Sequence, residues 1–274
     1  MRSILQIWDV ARGSARVVLE TDRHIEAPNW DPSGANLLVN GEGYLFRVDL
    51  AAPSLAMVDT GFADKCNNDH GISPDGSLIA ISHHTARGSE IFTLPAGGGT
   101  PKAITEDAPS WWHGWSPDGK TLAYVAARGD RRVIDVYTIP VGGGAEVRLT
   151  NGEGHCDGPD YSPDGSCIYY NCDRDGHAQI WVMGPDGSGQ RKLFADEYVN
   201  WFPHPSPDGQ RLLYLAYPPG TLGHPPNLPV ALCLCDMEGG NRVRLVEFNG
   251  GQGTINVPCW SPDSSAFAFV SYVI

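Results

Sequence analysis

The chain has no apolar run approaching the ~20 residues that a helix needs to cross a bilayer, so no membrane span is expected. It has no Gly-x-Ser-x-Gly, no His-Glu-x-x-His and no phosphate-binding loop, so no common catalytic signature can be read along it. Basic residues are scarce: 19 against 32 acidic ones give a formal charge of −13. A phosphate-backbone binder depends on clustered Lys and Arg, so nucleic acid is excluded as an expected partner. Residues 1–10 hold one arginine but neither a long apolar segment nor a small-residue cleavage site, and they do not read as a secretory leader. The seven cysteines (Cys66, Cys156, Cys167, Cys172, Cys233, Cys235, Cys259) form no Cys-x-x-Cys pair. Their odd number predicts buried thiols in a reducing compartment, with a zinc cluster disfavoured. The cytoplasm is therefore the expected location, or the periplasm if a leader has been removed.

Glycine and proline are plentiful, and they recur in order. Ser-Pro-Asp-Gly or a near copy begins at Asp31, Ser73, Ser116, Ser162, Ser206 and Ser261, at intervals of 42, 43, 46, 44 and 55 residues. Such a period marks a repeat architecture. Each repeat offers four short β-branched or aromatic segments bounded by Gly and Pro; in the third they are 111–115, 121–126, 133–139 and 146–149. Proline presets φ at the second turn position, and glycine supplies the positive φ that returns the chain to the next strand. Four antiparallel strands repeated six times predict an all-β, six-bladed propeller forming a single domain over residues 1–274. After the last turn only one strand remains, 266–273. The N-terminal segments 5–10 and 15–19 are expected to complete that blade and remove an open edge.

Trp115-Ser116-Pro117-Asp118-Gly119-Lys120, followed by Leu122-Ala123-Tyr124, and Gln179-Ile180-Trp181-Val182-Met183 resemble the WD-type repeats of TolB-like propellers. The resemblance covers essentially the whole chain and implies the fold. TolB itself is a periplasmic protein with an additional N-terminal α/β domain that binds a peptidoglycan-associated lipoprotein; no such domain can be read in this sequence. A more distant resemblance, to propellers of the oligogalacturonate lyase type, implies a divalent metal held by histidines at the channel mouth.

The Ser-Pro-Asp-Gly and Gly-rich turns fall on one propeller face. The inter-blade segments and second-to-third-strand loops fall on the other, together with all nine histidines. Variable loops on a rigid scaffold are where binding usually resides. Aligning the repeats shows His70, His113 and His204 breaking a Pro or small-residue pattern, while Glu26, Asn68, Trp111, Asp157, Trp201 and Asn256 share another column. First strands line the channel, so the expected ligand site comprises Glu26, Asn68, Asp69, His70, Trp112, His113, His155, Asp157, Asn200, Trp201 and His204. No catalytic residue is assigned, though Arg87, Arg128 and Arg174 on the second-to-third loops are candidate bases for an enzyme. A Pro-rich irregularity at 217–229 lies on the histidine side and reads as either a surface insertion or a semi-rigid lid. Three functions remain open: a non-catalytic module holding a small polar ligand, saccharide or protein segment; a metal-dependent oligouronide lyase; and a protein-interaction scaffold. No cofactor is assigned, but Mn, Ca or Zn is compatible with the imidazoles.

Overall fold

Every repeat turn is closed by the same device. At Ser73 the hydroxyl donates to Asp75 Oδ1 (2.6 Å) and accepts the N–H of Leu78 (2.9 Å), while Gly76 N–H donates to the Ser73 carbonyl (2.8 Å). The same set recurs at Ser116, Ser162, Ser206 and Ser261. At Asp31 the roles reverse, with Ser33 Oγ donating to the Asp31 carboxylate (2.7 Å), so Asp replaces Ser without loss of the turn. Pro32, Pro74, Pro117, Pro163, Pro207 and Pro262 from these six turns encircle one opening of the central channel.

The computed structural model describes residues 1–129 and 133–274 and consists of six blades. Five are four-stranded antiparallel sheets whose inner strands are Glu26–Trp30, Cys66–Ile72, Ser110–Trp115, Cys156–Tyr161 and Val199–Pro205. In the sixth, Ala266–Val273 pairs with Arg2–Asp9, which pairs with Ser14–Thr21, so both termini share one sheet as expected. Its inner strand is reduced to a single bridge between Trp260 and Phe267, because Pro258 and a turn at Gly251–Thr254 interrupt the backbone there. Among the described residues no helix is long and apolar enough to cross a membrane.

The inner strands are buried on both faces, and each of the five has a break in register. Such bulges re-aim side chains. In three blades Ala27, Gly158 or Phe202 takes positive φ directly before a proline. The other two blades carry His70 and His113 where that proline would stand.

The expectation of seven free thiols is corrected. Cys156 and Cys172 sit directly opposite each other on the first two strands of the fourth blade and form a disulfide. The pairing is cross-strand, so no short sequence spacing announces it. The other five cysteines are free.

Candidate functional site

The histidine-side mouth of the channel encloses a cavity of about 230 Å³. At its centre lies Asp157, on the inner strand of the fourth blade. Three imidazoles from three blades converge on its carboxylate. His113 Nε2 lies 3.0 Å from Oδ1, His155 Nε2 3.2 Å from Oδ2, and His224 Nε2 3.6 Å from Oδ2. Gly158 N–H also donates to Oδ1 (2.7 Å). Burial alone would raise the Asp157 pKa. The hydrogen bonds and positive charge of His113 and His155 overcome it and hold the carboxyl well below its usual range. Burial likewise opposes the charged forms of His113 and His155, yet Asp157 holds both imidazoles above their ordinary value. His224 goes the other way: burial lowers it.

A second carboxyl completes the floor. Asp69 is 5% exposed, and its Oδ2 accepts one hydrogen bond from Asn67 Nδ2 (2.7 Å). Burial raises its pKa to about 7; the nearby Asp157 adds to the rise and His113 offsets part of it. Trp111, Phe202, Gln252 and Asn256 also line the cavity, and no Lys or Arg is among its described lining residues. Phe202 stacks on His113, with ring centroids 6.4 Å apart, and Trp201 packs against His224 at 4.4 Å.

Four of the expected residues thus line the cavity: Asp69, His113, His155 and Asp157. Trp201 stands behind it as the wall for His224. Glu26 and Asn68 lie to one side: Asn68 Nδ2 donates to Glu26 Oε1 (3.3 Å), which also faces His24 Nε2. The remaining four lie away from the cavity. His70 is wholly buried, with Nε2 3.4 Å from the Leu38 carbonyl, and burial lowers its pKa to about 4, so it is a core residue. Trp112 fills the seam between the second and third blades, its ring lying over Gly71. Asn200 Nδ2 donates to Gln179 Oε1 on the fourth blade and to Asp196 Oδ1 in the segment leading into the fifth. His204 lies deep in the channel wall between Asp160 Oδ2 (3.0 Å) and the Ile255 carbonyl (2.6 Å). Trp112 and Asn200 sit in regular strand pairs, whereas His70 and His204 directly follow a register break. The three arginines do not line the cavity either. Arg87 is tied to Glu90, Arg128 to Glu146, and Arg174 to Glu153 and the face of Trp181.

His224 is the main residue missing from the expected set. It comes from the Pro-rich irregularity, whose position on the histidine side was the available signal. Thr221 Oγ1 donates to the Pro218 carbonyl and Tyr217 Oη to the Pro225 carbonyl, folding the segment inward while Leu222 stays 90% exposed. Trp111 and Asn256 share the repeat column of Asp157 and were legible as neighbours. Asn67, Phe202 and Gln252 carried no such mark.

His155, Asp157 and His224 offer donor atoms within 4.8 Å of one another. Tetrahedral bonds of ~2.1 Å to N and O ligands put donors ~3.4 Å apart, and the 3.2 and 3.6 Å separations bracket that edge. The three groups could hold a divalent ion, with His113 orienting the far carboxylate oxygen.

A family model of the TolB beta propeller domain (PD40) matches residues 108–224. The uncharacterised protein Atu1656 of Agrobacterium fabrum is 50% identical over 274 residues, covering 99% of this chain and 93% of that protein. The chain belongs to the TolB-like propeller family. A solved Agrobacterium tumefaciens structure provisionally named TolB superposes on this TolB-like chain with a TM-score of 0.97 at 50% identity, covering 100% of this chain and 99% of its own. TolB from Acinetobacter baumannii gives 0.70 at 20% identity, over 92% of this chain and 64% of its own. An oligogalacturonate lyase solved with manganese gives 0.57 at 14% identity, over 89% and 72%, a likeness of fold alone.

Proposed function

We propose that this TolB-like propeller is a non-catalytic binding module that holds a small polar ligand or a protein segment at the histidine-side mouth of its channel. The convergence of His113, His155 and His224 on the buried carboxylate of Asp157 carries this reading. Three blades contribute ligating groups to one enclosed polar point, and a pocket with a few convergent polar groups is the default binding site on such a scaffold. The rings of Trp111 and Phe202 supply apolar walls for a sugar or peptide side chain. A divalent ion held by His155, Asp157 and His224 would add a Lewis-acidic anchor for an anionic group, beside the imidazoles and the amides of Asn67, Gln252 and Asn256. The Cys156–Cys172 disulfide favours an oxidising compartment over the cytoplasm.

The test is a thermal-shift titration of chelator-stripped protein with Mn, Ca, Zn and Mg, followed by saccharides and peptides. A native-state ligand at a hundredfold excess over its dissociation constant adds ~2.7 kcal/mol of stability. A shift lost in Asp157→Asn supports the site; saturable binding that survives this change places the ligand elsewhere. Turnover that disappears in His113→Ala would overturn the non-catalytic reading.

The three-donor cluster also favours a second reading, a metal-dependent oligouronide lyase. There the ion would neutralise the uronate carboxylate while a neighbouring base removes the adjacent proton, and Asp69 is the carboxyl in reach. Oligouronides left intact by metal-loaded protein rule it out.

A further inference from the structure

The disulfide and the site share one strand end. Cys156 lies between His155 and Asp157, so its side chain points to the opposite face of the strand from theirs. It is bonded to Cys172 on the neighbouring strand. Just beyond this point the ladder is interrupted until Asp160↔Tyr169. Cys156↔Cys172 and Asp157↔Asn171 are the last regular pairs before the register breaks, and Gly158 then takes a φ of 59°. On the other side, Asp173 Oδ1 accepts the His155 N–H at 2.7 Å, tying the same hairpin end to the second strand. At the corresponding inner-strand position the other blades carry Ile25, Asn67, Ser110, Asn200 and Ile255. Only the blade that supplies two of the converging groups is cross-linked there.

We propose that the Cys156–Cys172 disulfide is a redox-controlled positioning element for the mouth. When it is oxidised, His155 and Asp157 are held at their spacing from His113 and His224. When it is reduced, the short ladder before the bulge relaxes and the site loses affinity. A dithiol reductant suffices: its thiolate attacks one sulfur, its second thiol resolves the mixed disulfide, and the Cys156–Cys172 bond accepts two electrons and two protons. Two thiols remain and the reductant leaves as its own disulfide. Both sulfurs belong to residues about 1% exposed, so the hairpin end must open before the attack.

The proposal rests on the mouth being a ligand site, and its test separates the two. Protein prepared in an oxidising medium is compared with dithiothreitol-reduced protein and with Cys156→Ala/Cys172→Ala. The readouts are imidazole ¹H–¹⁵N signals and the Mn²⁺ dissociation constant from the electron paramagnetic resonance of free Mn²⁺. The expected result is displaced signals for His113 and His155, unchanged signals for the buried His70 and His204, and Mn²⁺ binding weakened ~tenfold or more, as when groups orienting metal ligands are removed. If the oxidised protein binds no Mn²⁺, the metal reading fails and the histidine signals alone decide. Three results overturn the proposal: unchanged site signals with unchanged affinity; loss of the His70 and His204 signals in both reduced forms, which makes the bond a support of the whole fold; and free thiols at both positions after oxidative preparation.

Discussion

Replacing Asp69 with asparagine is expected to stabilise the protein, by an amount that grows with pH. In the folded state this carboxyl titrates at about 7, against 3.8 for the free side chain. Burial disfavours the charged form, and the charge of His113 and one donor, Asn67 Nδ2, offset only part of it. Between pH ~4 and ~7 the unfolded chain has released the proton while the folded protein retains it. Stability therefore falls as pH rises through that window, at up to ~1.4 kcal/mol per pH unit. The full penalty above pH 7 is ~4 kcal/mol. An amide is isosteric, accepts from Asn67 through its oxygen and cannot ionise, so Asp69→Asn removes this penalty less its own burial cost. Urea unfolding of both proteins at pH 4, 5.5, 7 and 8.5 should show near-equal stability at pH 4 and a gain of ~2–4 kcal/mol in the variant at pH 8.5. Because the comparison is relative, other titrating groups largely cancel. A difference that stays flat across the window would refute the argument and return Asp69 to the role of an ordinary loop cap. The expected gain also bears on function: a buried carboxyl kept at such a cost is typical of sites that trade stability for binding.

Three other outcomes follow from the geometry. Gly71→Ala should cost ~3 kcal/mol in urea unfolding, because a Cβ there would come within 2.2 Å of the Trp112 ring, which fills the blade seam. Removing the disulfide by Cys156→Ala/Cys172→Ala opens a loop spanning a sequence separation of 16; differential scanning calorimetry should show a loss of ~3 kcal/mol. His224→Ala removes a ring packed on Trp201 and should cost ~1–2 kcal/mol in unfolding free energy, yet weaken Mn²⁺ binding at least ~tenfold. Equal affinity would show that His224 is not a ligand.

The blade count could be read from the chain because each turn is local: a serine or aspartate at its start, proline next and glycine at the return make a closed unit within a few residues. The joining of residues 2–9 to 266–273 was also legible, since a propeller must close and one blade lacked strands. The site was legible only in part. His155 and Asp157 lie at a strand start, where the direction of the repeat alone puts them at one mouth. His70 and His113 share one repeat position, yet His113 reaches Asp157 while His70 meets a backbone carbonyl; His204, one place further on, meets a carbonyl and a carboxylate.

What the sequence by itself determined, then, is periodic: blade number, strand order, the tight face and the variable face, all set by short-range backbone preferences repeated six times. The tertiary structure decided which of nine histidines share a carboxylate, that His224 folds in from an insertion to join them, and that two cysteines among seven are bonded. The first two depend on contacts between blades more than forty residues apart, as with His113 and Asp157, and the third on cross-strand register within one blade; neither leaves a mark in local patterning.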